Sequence, residues 1–223
     1  MASRDESSER QTRNSERTRA AVLSAAAEAM AERGTGVSLD HIAKRAGVSK
    51  GGLLHHFASR EALIVALVDD AQQRLRENVL KHLDLSENTP GKLLRAYVRA
   101  LTSGSEATVQ YFTAAPTWAG IYQIPEVAAI AAADSRWWNE NLAADGLSPA
   151  QILVVRRAAE GLAAAVAYGD ETQAAVTEAR ALLLHLTNND SFPAVGPAAD
   201  STAGPASTAA GDGDRAAERK PTP

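Results

Sequence analysis

Cysteine is absent from this chain of 223 residues. Disulfides, thiolate metal sites and cysteine nucleophiles are therefore excluded, and the composition fits a reducing cytoplasm. Long apolar runs are also missing, because no stretch approaches the about 18 consecutive apolar residues that span a bilayer. The polar N-terminal sequence has no apolar segment of the kind found in signal peptides. We therefore expect a cytoplasmic protein with no membrane partner.

Aromatic residues make up only 4% of the chain, whereas hydrophobic residues together reach 45%. Alanine supplies much of that apolar content, and an alanine-rich, aromatic-poor sequence suits close-packed helices better than sheets. No segment alternates apolar and polar residues as a half-buried strand would. The composition therefore predicts an all-α protein with a core of ordinary size.

Groupings that would indicate catalysis are scarce as well. An enzyme needs a nucleophile beside a base, paired carboxylates or a metal cluster. None of the five histidines stands at metal-ligand spacing from carboxylates, and no glycine-rich phosphate loop follows a strand. His55 and His56 are adjacent, so on a helix they point about 100° apart and do not readily share a metal. We expect neither an enzyme nor a metal or cofactor.

The two ends of the chain differ in composition from the middle. Residues 1–14 show no apolar pattern, and the last 33 residues contain five of the nine prolines. We predict disordered tails over residues 1–14 and 191–223. Between them, apolar residues at helical spacing predict about nine helices, the first over Glu16–Arg33 and the fifth opening at Thr89-Pro90.

The most informative stretch runs from Ser38 to Leu63 and reads SLDHIAKRAGVSKGGLLHHFASREAL. Two short helices that cross steeply need a small residue at their contact, and Ala43 supplies it. The turn between them needs a residue that tolerates positive φ, which is Gly47. Three apolar residues are spaced to fill the corner: Ile42, Val48 and Leu53. Together these features predict a helix-turn-helix.

Charge is distributed unevenly along the chain. Residues 1–60 carry ten Lys and Arg against seven Asp and Glu, whereas residues 61–190 carry ten against sixteen. A basic N-terminal part on an acidic body is the electrostatic pattern expected when one end of a protein binds DNA.

The helix-turn-helix stretch resembles the tetracycline-repressor (TetR) family of regulators. The similarity covers residues 18–65, where A-G-V-S-K-G-G-L-L-H-H-F-A-S-R-E-A-L matches the family pattern A-G-V-S-K-G-x-x-Y-x-H-F-x-S-K-E-x-L. The body agrees in size and helix count. Two positions depart from the pattern: Leu54 stands where many members have a tyrosine that binds a DNA phosphate, and Arg60 replaces the usual lysine but keeps its charge.

The resemblance implies that the start of the third helix faces the major groove of DNA. The residues there are Ser49, Lys50, Gly51 and Gly52, with His55 one turn later. A lysine can donate to guanine O6 and N7. Ser38 and Ser59 begin helices, where free N–H groups and the helix dipole favour a phosphate, and Arg60 adds a charge beside the second. A helix-capping function for both serines is compatible with phosphate binding.

Seven of the ten aromatic residues lie between Tyr97 and Trp138. They either build the core of the body or form the wall of an apolar ligand cavity with a few polar groups. The candidate ligand-binding residues are Tyr97, Tyr111, Trp118, Tyr122, Trp137 and Trp138.

These observations predict two domains and one function. Residues 15–60 form the helix-turn-helix DNA-binding domain, and residues 61–190 form a helical domain that binds an effector and dimerises through the eighth and ninth helices. A homodimer would place two recognition helices in successive major grooves of a palindromic operator in double-stranded DNA. The expected function is a ligand-responsive transcriptional repressor that a small molecule releases. The alternatives are an activator-type regulator and a helical protein-interaction module.

Overall fold

A computed structural model of the protein describes residues 2–118 and 120–188; the side chains of residues 2–10 and 115–118 are outside that description. Within these residues the chain forms nine α-helices and no β-strand, which confirms the predicted all-α class. The helices are α1 (Ala2–Arg33), α2 (Leu39–Arg45), α3 (Lys50–His56), α4 (Arg60–Lys81), α5 (Lys92–Leu101), α6 (Glu106–Trp118), α7 (Pro125–Ala143), α8 (Pro149–Tyr168) and α9 (Gln173–His185). None of the described helices has the length and hydropathy needed to cross a bilayer. The predicted tail over residues 191–223 lies outside the described residues.

Hydroxyl side chains begin five of these helices. In each case the side-chain oxygen accepts a hydrogen bond from the backbone N–H three residues along, which satisfies one of the free donors in the first turn. The five N-cap residues are Ser38, Ser49, Ser59, Ser148 and Thr172. The predicted starts at Ser38 and Ser59 are therefore confirmed.

Helix α1 is longer than the sequence predicted. It begins at Ala2, whereas we expected a disordered tail over residues 1–14 and a first helix from Glu16. Neither proline nor glycine occurs before Gly34, so nothing in the polar segment interrupts a helix that continues from the packed part. The absence of an apolar pattern reflects exposure, because residues 11–17 are all exposed on the surface of this helix.

Helix α5 begins later than expected, at Lys92 instead of Pro90. Gly91 precedes it with a φ of 87°, in the left-handed region that glycine tolerates. Its first-turn N–H groups are satisfied from a distance: the Asp145 carboxylate accepts from the N–H groups of Leu93 and Leu94, at 2.7 and 3.1 Å. The turn that follows α7 therefore caps α5.

Apolar side chains form two clusters along the molecule. The first, which we call the head cluster, joins buried residues of α1, α2 and α3 with Leu63, Ile64, Leu67 and Val68 of α4. The second, the body cluster, joins the far end of α4 with α5, α7, α8 and α9. Helix α4 contributes side chains to both clusters and so connects them. The head cluster also contains Ile121 and Val127, so its packing extends beyond the predicted boundary at residue 60.

A buried arginine ties the loop before α5 to the end of α9. Arg95 forms an ion pair with Glu87 at 2.5 Å and donates hydrogen bonds to the carbonyl oxygens of Thr89 and Pro90. Its guanidinium also donates to the carbonyl of Thr187, at 3.4 Å. Two segments that are more than 90 residues apart are thus held together by one side chain.

Candidate functional site

Helices α2 and α3 form the predicted helix-turn-helix. Gly47 in the turn has a φ of 70°, and the N–H of Val48 donates to the carbonyl of Ala43 at 3.0 Å. Ala43, Ile42 and Leu53 are buried where the two helices meet α1. The small residue, the positive-φ glycine and the apolar corner therefore lie where the spacing predicted them.

The start of α3 is left open to solvent. Ser49, Lys50, Gly51 and His55 are exposed, whereas Leu53 on the opposite face packs into the head cluster. The two glycines differ in their surroundings: a Cβ on Gly51 would meet nothing closer than 3.9 Å, whereas one on Gly52 would lie 3.3 Å from the Ser49 hydroxyl oxygen. Gly52 therefore packs closely against the N-cap residue Ser49. Gly51 has open space around it, so no side chain covers the backbone at the start of α3.

Lys50 is not free in solution. Its Nζ lies 2.9 Å from a carboxylate oxygen of Asp40 on α2, and both side chains are more than half exposed. Exposed pairs contribute only about 0.2–1 kcal/mol, so the contact orients the lysine without fixing it. No pattern in the sequence connects these two residues, which lie ten positions apart.

Arg60 has a structural role that the sequence did not predict. Its Nη1 donates to the carbonyl of Val37, in the loop between α1 and α2, and the residue is half-buried. The adjacent Ser59 caps α4. The backbone N–H of Glu61, together with the Ser59 hydroxyl, lowers the pKa of the Glu61 carboxyl. Arg60 thus joins the first turn of α4 to the loop that precedes the helix-turn-helix.

A second arginine fixes α2 to α1. Arg45 contacts Glu28 through Nε at 2.9 Å and Glu32 through Nη1 and Nη2 at 2.8 and 2.7 Å. The hydrogen bonds from Arg45 lower the pKa of Glu32, since they favour the carboxylate. The fork geometry of the guanidinium makes this a directional contact between the two helices.

The six aromatic residues predicted to bind a ligand lie in different surroundings. Tyr97 and Trp138 are buried in the body cluster, with ring centroids 4.9 Å apart and planes at 75°. Trp137 is half-buried, its ring 4.9 Å from that of Trp138. Tyr122 is exposed, and the side chain of Trp118 lies outside the described residues.

A polar network crosses the body beside Tyr97. Its hydroxyl donates to the Glu160 carboxylate at 2.8 Å, and Arg156 contacts the same oxygen at 2.9 Å. Arg156 also donates to the amide oxygen of Asn139. Burial, together with the Glu160 charge, raises the pKa of Tyr97 well above its ordinary value, so the phenol stays neutral. These polar groups satisfy one another.

Two of the predicted aromatic residues line open volume. Tyr111 lies in the wall of a cavity of about 210 Å³ between α1, α4 and α6, and burial raises the pKa of its phenol. Trp137 lies in a groove of about 570 Å³ between α4 and α7, where the Arg76 guanidinium stacks 4.2 Å above its ring and pairs with Asp134. The structure therefore separates the predicted ligand residues into packed core and two different openings.

Helices α8 and α9 expose apolar side chains. Leu153 is 58% exposed, Val154 48% and Leu182 60%. Gly161 lies on the same exposed side of α8, eight residues after Leu153 and seven after Val154. Among the described residues, no group of three His, Asp or Glu side chains is placed to hold a metal ion.

Two family models match this chain. The model described as "Bacterial regulatory proteins, tetR family" matches residues 22–67, and "Tetracyclin repressor-like, C-terminal domain" matches residues 91–188. The first covers the helix-turn-helix and the start of α4. The second covers α5 to α9 and the described residues that follow.

Known proteins agree with those matches. The HTH-type transcriptional regulator BetI of Yersinia pestis (strain Pestoides F) is 33% identical over 114 residues, which cover 48% of this chain and 56% of BetI, so the chain spans about half the length of this relative. A transcriptional regulator from Rhodococcus sp. RHA1 has a TM-score of 0.62 at 20% identity over 76% of this chain and 95% of its own. A TetR-family member from Streptomyces coelicolor A3 has a TM-score of 0.57 at 24% identity over 77% and 98%. The chain therefore belongs to the TetR family of bacterial regulatory proteins.

Proposed function

We propose that the protein is a homodimeric DNA-binding transcriptional regulator whose affinity for its operator responds to a small molecule, most simply a repressor that the molecule releases. The observation that carries the proposal is the exposed start of α3 on a helix-turn-helix that belongs to a family of regulators. Its site of action is the cytoplasm, where bacterial DNA lies.

The DNA contacts divide into two kinds. Lys50 and His55 have the reach to contact base edges in the major groove, while Ser49, Gly51 and Gly52 allow the backbone at the start of α3 to approach the DNA. The backbone contacts come from the helix N-termini at Ser38 and Ser59 and from the charge of Arg60. The exposure of Ser38, Lys50 and His55 supports this division, and Arg60 adds its charge from a half-buried position.

Dimerisation is supported by the exposed apolar residues of α8 and α9. Leu153, Val154 and Leu182 are large apolar side chains that a second copy of the chain would cover. Packing α8 and α9 against their symmetry mates gives a four-helix interface. The helix-turn-helix parts of the two copies then contact half-sites about 34 Å apart on one face of the duplex.

Selection from a random pool of DNA duplexes tests the proposal directly. The full chain should enrich a palindromic sequence with two half-sites. Lys50→Ala should weaken binding to that sequence about 5- to 150-fold, the equivalent of about 1–3 kcal/mol for one base contact. Lys81→Ala removes the same charge from the end of α4 and should leave binding unchanged.

Two results would contradict the proposal. One is a pool that shows no enriched sequence after repeated selection. The other is equal weakening by Lys50→Ala and Lys81→Ala, since total charge would then explain binding and the start of α3 would have no special position. A reporter gene placed behind the selected sequence distinguishes repression from activation.

A further inference from the structure

The cavity between α1, α4 and α6 lies at the junction of the head and the body. Its volume is about 210 Å³, and its walls include Leu23 and Met30 of α1, Leu67 and Ala71 of α4, and Tyr111 of α6. Leu23, Met30 and Leu67 are also members of the head cluster. An occupant of this cavity would therefore touch the same side chains that hold the helix-turn-helix together.

The cavity has an apolar floor and a polar rim. Leu23, Met30 and Leu67 at the floor are buried, whereas Ser24, Gln110 and Thr113 at the rim are exposed. Apolar pockets with a few polar groups are the usual form of small-molecule sites. The arrangement fits a molecule with an apolar body and one hydrogen-bonding group.

The charged groups of the rim already have partners. Arg74 contacts Asp70 at 2.7 Å, and Glu28 accepts from Arg45 at 2.9 Å and from the Ser24 hydroxyl at 3.2 Å. A charged molecule would bring an uncompensated charge next to these satisfied pairs, which is unfavourable on an apolar floor. The site therefore favours a neutral molecule.

The volume limits the size of that molecule. An apolar cavity of about 150 Å³ accommodates benzene, so about 210 Å³ accommodates a single aromatic ring with a short polar substituent. The groove between α4 and α7 is a poorer candidate, because its walls carry Asp69, Glu77, Asp134 and the paired Arg76, and none of its walls belongs to α1, α2 or α3.

The route from the cavity to the DNA-binding surface is short. Glu28 at the rim is one of the two carboxylates that hold Arg45, and Arg45 fixes α2 to α1. Leu67 and Ala71 belong to α4, which carries the head on the body. A molecule that separates α1 from α4 or α6 therefore changes the position of α2 and α3. This change does not require a rearrangement of the body cluster.

We propose that this cavity binds a small neutral aromatic or similarly compact apolar molecule, and that the occupant regulates DNA binding by acting on α1 and α4 at the base of the head. The proposal rests on the DNA-binding function proposed above. It places the regulating molecule outside the buried Tyr97–Trp138 pair and identifies α1 as part of its site.

Benzyl alcohol, phenol and indole are suitable probes. Binding of each to the full chain is measured by saturation-transfer NMR, and the affinity of the chain for its selected duplex is measured by fluorescence anisotropy with and without probe. Ala71→Leu fills the cavity and should abolish probe binding. Ala133→Leu adds the same side chain in the wall of the α4–α7 groove and should keep it.

The expected result is that at least one probe changes the affinity of the wild type for DNA by about 5- to 150-fold, that Ala133→Leu responds equally, and that Ala71→Leu binds DNA but no longer responds. Thr113→Leu, an exposed substitution at the rim, provides the same test if Ala71→Leu fails to fold.

Three results would overturn the inference: no probe binds, the probes bind wild type and both cavity variants alike, or every probe that binds in the cavity leaves DNA affinity unchanged. The NMR comparison does not involve DNA. Failure of the chain to select a duplex would therefore refute the proposed function, while the assignment of the cavity would still be decided by probe binding to the variants.

Discussion

The pair between Lys50 and Asp40 places an acidic side chain beside the amine that is proposed to contact DNA bases. Phosphates near Asp40 would meet a like charge, and Lys50 must leave its partner before it can donate elsewhere. Both effects oppose binding to any duplex. Both penalties apply to specific and non-specific DNA alike, so Asp40 weakens DNA binding in general.

Asp40→Asn should therefore strengthen binding to duplexes of unrelated sequence by about 1.4- to 5-fold, the equivalent of the 0.2–1 kcal/mol of an exposed pair. Binding to the selected palindrome should gain by a similar factor, because Lys50 leaves Asp40 in that complex as well, so the specificity ratio should stay unchanged. The measurement is anisotropy against both duplexes at one salt concentration. Asp69→Asn, an exposed change in the middle of α4, is the control. Unchanged non-specific affinity would show that Asp40 does not compete for Lys50.

Arg60 combines a charge near the proposed DNA surface with a hydrogen bond inside the protein. Arg60→Ala should lower the free energy of unfolding by about 1.5–3 kcal/mol, because the donor to the Val37 carbonyl is charged. It should also reduce the salt dependence of DNA binding by about one ion if Arg60 faces a phosphate.

Arg60→Lys separates the two roles of this residue. It keeps the charge, so the salt dependence should return to the wild-type value, while the loss of stability persists in urea unfolding. Wild-type stability in Arg60→Ala would refute the structural role, and an unchanged salt slope would remove Arg60 from the phosphate contacts.

Single residues show clearly where sequence reasoning succeeds. Ser38, Ser59 and Gly47 were predictable because caps and positive-φ turns depend on neighbours within three or four positions. The partners of Lys50, Arg60 and Arg45 were not, because they lie between 10 and 23 positions away and depend on how α2 and α4 pack against α1 and its loop.

Helices α8 and α9 expose large apolar side chains that no other part of the described chain covers. Leu153→Glu places a charge in the exposed apolar surface of α8, and it should convert the expected dimer to monomers because a buried charge without a partner is strongly unfavourable. Sedimentation velocity measures the result. Binding to a single half-site should survive, whereas binding to the full palindrome should be lost.

Leu85→Glu is the matched control for that change. Leu85 is 78% exposed in the segment between α4 and α5, so the same substitution should leave the assembly unchanged. A dimer that persists in Leu153→Glu would place the interface on another surface of the molecule.

Helix boundaries were predictable to different degrees. The limits of α8 can be inferred from the sequence, because Ser148-Pro149 and Gly169 mark them locally. The start of α5 cannot, since its first turn is capped by Asp145, whose carboxylate reaches it from the turn that follows α7. Long-range capping leaves no signal in the segment that it stabilises.

At the scale of the whole molecule, Arg95 joins the loop before α5 to the end of α9. Arg95→Met should lower the free energy of unfolding by about 3–5 kcal/mol, because it leaves the Glu87 carboxylate without its buried partner. Urea unfolding measures the loss. Arg99→Met, which removes a longer and more exposed contact to the same carboxylate, should cost much less. Equal effects of the two changes would contradict a special role for Arg95.

The fold class and the position of the helix-turn-helix followed from composition and spacing, but the arrangement of the aromatic residues did not. Tyr97 and Trp138 form packed core, while Tyr111 and Trp137 reach two separate openings. Their positions in the sequence suggested that they would line one cavity or build one core together. Whether a helix face meets another helix or an opening depends on crossing geometry, which a single helix does not encode.

Ile121 and Val127 complete the hydrophobic interior around α1, α2 and α3, although they follow α6 in the chain. A hybrid sensor built by grafting residues 1–60 onto the body of another family member would leave these two side chains behind, along with the apolar residues of α4. The graft would expose the apolar side chains of α1, α2 and α3 that pack in the same cluster as Ile121 and Val127. Exchange of DNA specificity between such proteins thus requires the recipient's α4 and α6–α7 segment to be matched to the incoming head.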